Sequence, residues 1–509
     1  MSLFKSGLFI SIATLVSRIF GYLRDVFMAS SLGLSTLSDA FTLAFKLPNL
    51  FRTIFAEGAL NSVFIPFFIQ QKNEKGETYA IEIASTFFTF LLLATTVVVI
   101  VIEVQMSVII NFFASGFKQD HEKLRLTVLL ARITFPYLIF ISLSSLLISI
   151  MNSYRKFFIG ALSPLILNIV MIISLIITEK NSETTVINLS IAVLVGGLVQ
   201  LILNYYFIFK SRLKLRINKL ANLKDLKKML KNMLPIIFGS GITQINLWVG
   251  TIIASKIPAA ISIIYYAERL NQFPLAIIGT AVGTVLLPEL SKIILSNDIL
   301  KTNKTQNNAL IVALFFTLPS SLALVSIGDL IIQVLFERQE FLRQDTINVA
   351  ATLAIIALGL PSFVISKVLT PRFYALQDTK IPVLISIISI VTNIIFCLIL
   401  VEKFSFKGIA IASVISGWIN VLMLFCFLYF KYQYRIDQIT LIRIIKTLIA
   451  SIIMFLALKC AHNLLELKPL LKLLILIILG AVTYFSVAYL LGLFKNIEIN
   501  LKDFKIARK

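Results

Sequence analysis

Charged residues are scarce in this sequence of 509 residues: they make up 14% of the chain, whereas hydrophobic residues make up 58%. Soluble globular proteins have about 25% charged and about 45–50% apolar residues. Histidine occurs only twice, and the three cysteines, Cys397, Cys426 and Cys460, form no C-x-x-C pair. The cysteine spacing therefore indicates neither a disulfide framework nor a zinc site.

Enzyme motifs are also missing from the sequence. It contains no G-x-x-x-x-G-K-[ST] phosphate-binding loop, so it gives no sign of ATP binding by that route. No acidic cluster has the spacing of metal-dependent phosphoryl chemistry, and the two histidines, His121 and His462, lie far apart in the chain. We expect a protein that is not an enzyme and has no bound cofactor.

What the sequence has in place of charge is a series of long apolar runs, for example 87–102, 162–177 and 473–493. Each approaches or exceeds the length that crosses a hydrocarbon core of about 30 Å at about 1.5 Å per helical residue. Only helices and closed barrels satisfy their backbone hydrogen bonds in lipid, and the long runs predict an all-α polytopic membrane protein. The N-terminal run carries three charged residues and no cleavage site, which favours a retained membrane helix over a signal peptide.

Hydrophobic segments and polar breaks predict about fourteen transmembrane helices. Their centres lie near residues 18, 55, 92, 140, 168, 198, 244, 278, 322, 359, 391, 419, 452 and 483. Nine Lys and Arg residues fall in the connection 210–231, and the excess of basic residues in alternate connections predicts that both termini are cytoplasmic. Topology and anionic lipid headgroups account for the net charge of +22, so we expect no nucleic-acid binding.

The sequence also repeats itself at long range. The interval from Pro136 to Asn168 matches that from Pro361 to Asn393 at an offset of 225 residues, and a second match has an offset of 222. Chance similarity between apolar helices is the alternative to a duplicated six-helix unit. A duplication predicts two pseudo-symmetric six-helix lobes plus two C-terminal helices, a pattern found in transporters. The predicted domains are an N-lobe (1–209), a basic cytoplasmic linker (210–232), a C-lobe (233–430), and the last two helices with a cytoplasmic tail (431–509).

Charged residues inside the predicted spans identify a candidate site. An arginine at the bilayer centre costs roughly 2.5–3.5 kcal/mol on the lenient insertion scale, so it must face a partner or water. The intramembrane arginines are Arg18, Arg24, Arg52 and Arg269, and the acidic residues are Asp25, Asp39, Glu57 and Glu268. Internal salt bridges are one interpretation. The excess of arginine favours a cationic chamber for an anionic headgroup, because guanidinium binds phosphate through two parallel hydrogen bonds.

Several segments resemble one known family. The sequences SRIFGYLRD, SDAFTLAFKLPNLFRTIFAEGALNSVFIP, ITFPY, YYAERLNQFP and GTVLLPELSK are similar to those of the MurJ (MviN) family of lipid II flippases. The resemblance runs through nearly the whole chain. It implies a fold of the multidrug/oligosaccharidyl-lipid/polysaccharide exporter superfamily, in the bacterial inner membrane. It further implies lipid II, the undecaprenyl-pyrophosphate-linked precursor of peptidoglycan, as the substrate, and membrane lipids and cell-wall synthesis proteins as further partners.

The same resemblance assigns roles to residues. The four arginines match positions that line a central cationic cavity in the family, and Asp25, Asp39 and Glu57 match important acidic positions. Position 268 is glutamate where many relatives have aspartate. Some members bind sodium in the C-terminal lobe, for which Asp378 and Asn393 are candidates here. We expect alternating access driven by the membrane potential or a sodium gradient, with the lipid tail held at the last two helices.

Other functions remain as alternatives. An exporter of another polyprenyl-linked saccharide would use the same fold. A cavity with four arginines would repel cationic drugs. A membrane-embedded enzyme would show clustered carboxylates or histidine at a membrane face, and a scaffold would not need buried arginines.

Overall fold

The computed structural model describes residues 3–54, 60, 63–218, 222–296 and 298–494; side chains are described from residue 13 onward, except within 235–247 and at 280–281 and 284. Within these residues the chain folds into α-helices joined by short connections. The helices of the first half are α1 (Leu3–Leu32), α2 (Thr36–Phe51), α3 (Ile65–Lys75), α4 (Glu77–Val104), α5 (Met106–Phe113), α6 (His121–Thr134), α7 (Tyr137–Ser153), α8 (Phe158–Ile177) and α9 (Glu183–Lys210). The helices of the second half are α10 (Leu223–Ala254), α11 (Ala260–Ile294), α12 (Ile299–Phe336), α13 (Arg343–Ala375), α14 (Lys380–Phe404), α15 (Phe406–Tyr432), α16 (Gln438–Leu464) and α17 (Pro469–Leu490).

Ten helical segments in the described part of the chain are long and apolar enough to cross a membrane. Thirteen of the fourteen predicted centres fall inside helices, and the centre near residue 55 lies outside the described residues. Three of these helices, α1, α10 and α11, have only some of their side chains described. The predicted all-helical, polytopic architecture is confirmed.

Contacts divide the chain into two compact units. Unit 1 contains Met1–Tyr265 with Phe336–Asp345, and unit 2 contains Tyr266–Leu335 with Thr346–Lys509. In unit 1, α8 packs against α1 and α9, while α2 packs against α6. In unit 2, α14 packs against α15, and α16 pairs with α17. The last two helices share an apolar core with α12, in which the Tyr484 ring lies 5.3 Å from that of Phe315.

The helix α10 follows the basic linker in sequence, but its contacts place it in unit 1. The Trp248 ring on α10 lies 4.2 Å from the Phe113 ring on α5. At the end of α10, the Ser255 hydroxyl accepts a hydrogen bond of 3.1 Å from the Gly116 backbone N–H. The position of α10 is therefore set by its side-chain contacts with α5, although the basic linker separates the two helices in sequence.

Local backbone conformation supports the predicted duplication. The turn before α8 has Arg155 at φ 60°, and 222 residues later the turn before α14 has Gln377 at φ 58°. The connections after α9 and α15 likewise have Arg212 at φ 59° and Gln433 at φ 53°. Non-glycine residues with positive φ are uncommon, so their recurrence at offsets of 222 and 221 residues, close to the predicted 225 and 222, is unlike a chance similarity of apolar helices.

Close helix–helix contacts at a glycine occur at corresponding positions of the two units. A Cβ atom added to Gly197 of α9 would lie 2.4 Å from the Tyr137 ring of α7. A Cβ atom added to Gly417 of α15 would lie 2.7 Å from the Ser362 hydroxyl of α13. In membranes small residues let helices approach closely, and both units use a glycine for this purpose.

Substitution of Gly197 by alanine should therefore destabilise the protein by about 1–3 kcal/mol, the usual cost of overpacking. The lowered midpoint of thermal denaturation of the purified protein measures this loss. Gly283→Ala is the matched control, because its new methyl group would meet nothing closer than 3.9 Å. Equal midpoints for the two variants would contradict the packing argument.

Candidate functional site

Arg24, one of the four predicted site arginines, is held in a buried hydrogen-bond network. Arg24 is 7% exposed, and its Nε and Nη2 atoms donate to Asp25 Oδ1 at 3.1 and 2.7 Å. Its Nη1 donates to Asn168 Oδ1 on α8 at 3.1 Å, and the Tyr265 hydroxyl donates to Asp25 Oδ1 at 2.9 Å. Buried charges are stable only when paired and hydrogen-bonded, and here both charges are. Arg24 is thus neutralised by its own neighbour in the sequence.

Arg18 lies in a different environment on the same helix. It is exposed, and within the described residues no hydrogen bond or ion pair involves it. Arg18 and Asp25 are seven residues apart and so lie on one face of α1, but this spacing separates them by about 10 Å along the axis. Asp25 therefore pairs with Arg24, and the Arg18 guanidinium is left available to a ligand.

A second buried pair joins helices that are distant in sequence. The Asp39 carboxylate, in the first turn of α2, accepts a bond of 2.8 Å from Lys123 Nζ on α6. Its other oxygen accepts bonds from the backbone N–H and hydroxyl of Ser262, at 3.0 and 2.7 Å. Lys46 lies seven residues after Asp39 and so on the same face of α2, and its Nζ donates to Thr251 on α10. Sequence reasoning missed Lys123 because its partner lies 84 residues away.

The remaining candidates of unit 1 lie at the end of α2. Arg52 is partly buried, and its Nε donates to Asn49 Oδ1 at 3.0 Å. Asn49 in turn donates to the Phe45 carbonyl at 2.8 Å. Glu57 lies outside the described residues, so its predicted role as a supporting acidic residue stays a prediction.

Unit 2 contains the fourth predicted arginine and a cation that the sequence analysis missed. Arg269 and its neighbour Glu268 are partly buried on α11, and each takes part in interactions. On α13, Lys367 is exposed and makes no hydrogen bond or ion pair within the described chain. Its aliphatic stem covers Gly279, where a Cβ would lie 2.8 Å from its Cδ. A lone lysine in the apolar run from 353 to 371 was the signal that could have identified it.

The two sodium candidates do not meet. Asp378 lies in the turn between α13 and α14 and accepts hydrogen bonds from the Tyr432 hydroxyl and from Lys431 Nζ. Asn393 is buried within α14 and accepts a weak bond from Cys397 Sγ at 3.6 Å. Thirteen helical residues between Lys380 and Asn393 span about 20 Å, so one ion cannot bind both. No group of three His, Cys, Asp or Glu residues able to hold a metal is present in the described chain.

Another arginine, which was not among the predicted site residues, is buried and holds helices together. Arg372 is 3% exposed, and its guanidinium donates to Asn303, Gln306 and the Tyr432 carbonyl. Neutral acceptors on three sides hold this cation between α12, α13 and the end of α15. Its burial distinguishes it from the exposed Arg18 and Lys367.

The helical fold resembles that of a solved membrane transporter. A solved multidrug transporter of the MATE family, of the MOP superfamily, in an inward-facing conformation, shares 13% identity with this chain. The TM-score is 0.65, covering 83% of this chain and 97% of that one. At this identity the likeness concerns the fold, so the chain has the fold of MOP superfamily membrane transporters.

The family follows from sequence. The family model described as lipid II flippase MurJ matches residues 28–479. A probable lipid II flippase MurJ of Rickettsia prowazekii (strain Madrid E) is 39% identical over 502 residues, covering 96% of this chain and 98% of that protein. A solved lipid II flippase MurJ in an inward closed conformation is 30% identical, with a TM-score of 0.80 over 95% of this chain and 98% of that one. The chain belongs to the MurJ family, and it is a multi-pass transporter of the bacterial inner membrane rather than an enzyme.

The buried Asp39–Lys123 pair should be strongly coupled. Lys123→Met leaves the carboxylate buried without its cation, and the expected loss of stability is about 3–5 kcal/mol. The double variant Asp39→Asn/Lys123→Met removes both charges and should lose less than the sum of the two single variants. Thermal denaturation of all three proteins measures the coupling, with the exposed Lys118→Met as control. Strictly additive effects would show that the pair is not coupled.

Acid should weaken the turn around Asp378. Hydrogen bonds from Tyr432 and then Lys431 lower the pKa of Asp378 to about 2, below the usual value near 3.9. The carboxylate therefore stabilises the fold above about pH 4, and this contribution is lost as the pH falls towards about 2. Denaturation midpoints of wild type and Asp378→Asn should converge over that interval. Tyr432→Phe should move the convergence to higher pH, and an unchanged profile would contradict the assignment.

Proposed function

We propose that this protein moves lipid II from the cytoplasmic to the periplasmic leaflet by alternating access, for cell-wall synthesis. The observation that carries the proposal is Arg18, an exposed guanidinium without a described partner on a membrane helix. An arginine facing lipid would cost roughly 2.5–3.5 kcal/mol or more, so a wet or ligand-filled environment is required. The buried Arg24–Asp25 network anchors the same helix to α8 and fixes the position from which Arg18 projects.

The chemistry of the cation suits a pyrophosphate. Guanidinium keeps its charge at every physiological pH and offers a planar fork of donors to two phosphate oxygens. Arg52 and Arg269 are proposed to contact the same headgroup in the course of the cycle. Arg24 is proposed to act mainly by position in this conformation, because Asp25, Asn168 and Tyr265 already occupy its donors.

The orientation of the chain is part of the proposal. Nine basic residues in 210–231 support a cytoplasmic linker and cytoplasmic termini. One charge moved through the membrane field is worth about 2.3 kcal/mol per 100 mV, which is sufficient to bias the cycle. The membrane potential or a sodium gradient is the proposed energy source.

The test is replacement of a depleted native flippase by this chain, as wild type, Arg18→Ala or Arg18→Lys. The fraction of lipid II that a periplasmic lipid II-cleaving toxin can reach is measured, with protein levels checked by immunoblot. Wild type should restore exposure, Arg18→Ala should lower it at least tenfold, and Arg18→Lys should retain part because it keeps charge but loses the fork.

The matched control is Arg155→Ala, which removes an exposed arginine from the turn before α8. It should behave as wild type. If Arg18→Ala restores exposure fully, Arg18 does not bind the substrate. If a well-expressed wild type fails in several hosts, another polyprenyl-linked saccharide is the better substrate.

A further inference from the structure

The described part of the chain contains a basic groove that is lined by none of the charged residues of the proposed transport site. It has a volume of about 560 Å³ and opens between α5 and α6 in unit 1. Three of its lining residues, His121, Arg125 and Arg132, follow one stripe of α6 at spacings of four and seven residues. All three side chains are exposed, and none makes a hydrogen bond or ion pair within the part of the chain described.

The other wall of the groove supplies neutral polar groups. Ser107 and Asn111 lie four residues apart on α5 and line the groove opposite the basic stripe. A hydroxyl and an amide can donate to oxygens that the guanidinium groups of Arg125 and Arg132 leave free. Two arginines with two neutral donors are a donor set suited to a phosphate diester.

Acidic residues also occur near the groove: Asp120 and Glu122 flank His121 in the sequence, and a third interacts with Arg132. Glu103, next to the last residue of α4, interacts electrostatically with Arg132. The two side chains form no ion pair within 4.0 Å in the described structure, so the guanidinium of Arg132 keeps its donors. Glu103 moderates the positive potential of the groove without filling it.

The groove lies at the edge of an apolar, exposed surface. The helix α4 is a candidate membrane span that ends at Val104, where the groove begins. Four apolar side chains beside it, Val104, Val108, Phe112 and Leu129, are 73%, 63%, 66% and 43% exposed. A ligand of this groove therefore has a charged part for the arginines and an apolar part for these side chains.

We propose that the groove binds an anionic glycerophospholipid, with its phosphate at Arg125 and Arg132 and its acyl chains along Val108 and Phe112. Such a lipid combines one phosphate with apolar chains, which a soluble anion lacks. Basic pockets between membrane helices on the cytoplasmic side are a known kind of site for anionic headgroups, and the same guanidinium–phosphate chemistry applies at this groove. The proposal does not depend on which substrate the protein transports.

The experiment measures lipid binding to the full-length protein in detergent by native mass spectrometry. Phosphatidylglycerol, phosphatidylcholine and undecaprenyl pyrophosphate are the probes, and inorganic phosphate is the competitor. Wild type should bind one phosphatidylglycerol more tightly than phosphatidylcholine. Arg125→Gln/Arg132→Gln should weaken that binding roughly 30-fold, and Glu103→Gln should strengthen it about fivefold.

The matched control is Lys468→Gln/Lys472→Gln, which removes two positive charges from the start of α17 and leaves the groove intact. It should bind phosphatidylglycerol as wild type does. Equal weakening in both double variants would show non-specific attraction and overturn the proposal. So would displacement by inorganic phosphate, equal binding of phosphatidylcholine, or an effect of the groove variant confined to undecaprenyl pyrophosphate.

Discussion

The ion pair between Asp39 and Lys123 is the interaction on which the arrangement of unit 1 depends. A carboxylate that is fully buried must be paired and hydrogen-bonded, because the desolvation of an isolated charge is too costly. Asp39 meets this requirement with groups from α6 and from the start of α11. The three helices are therefore fixed together at one point, in a membrane where apolar packing alone distinguishes poorly between helix and lipid.

The same physical rule separates two kinds of cation in this protein. Arg24 is buried with all three guanidinium nitrogens donating to side chains, and Arg372 is buried with both Nη atoms donating to side chains or a carbonyl group. Arg18 is exposed on α1, a predicted membrane helix, and Lys367 is exposed on the candidate span α13. The described chain forms no ion pair with either of them. The first kind holds helices in place, and the second kind remains available to a charged ligand. A charged residue inside the membrane is therefore a better indicator of a functional site when the protein provides it with no partner than when it is paired.

Much of the fold could be predicted from the sequence, because lipid leaves a helix few alternatives. Helix centres followed from apolar runs, and the duplication followed from matched prolines and asparagines. The partners of the charges could not be predicted in the same way. Arg24 pairs with its immediate neighbour in the sequence, whereas Asp39 pairs with Lys123, which lies 84 residues further along the chain. Such pairings depend on tertiary packing, and helix periodicity contains no information on them. The docking of α10 on α5 was missed for the same reason.

The turns with positive φ also bear on the history of the chain. Arg155 and Gln377 share a positive φ, and so do Arg212 and Gln433, although the side chains within each pair differ. A gene that doubled and then diverged would leave this record: the residues changed, but the path of the backbone between helices did not. Comparison of the two halves by backbone torsion angles should therefore recover their common ancestry more clearly than comparison by residue identity.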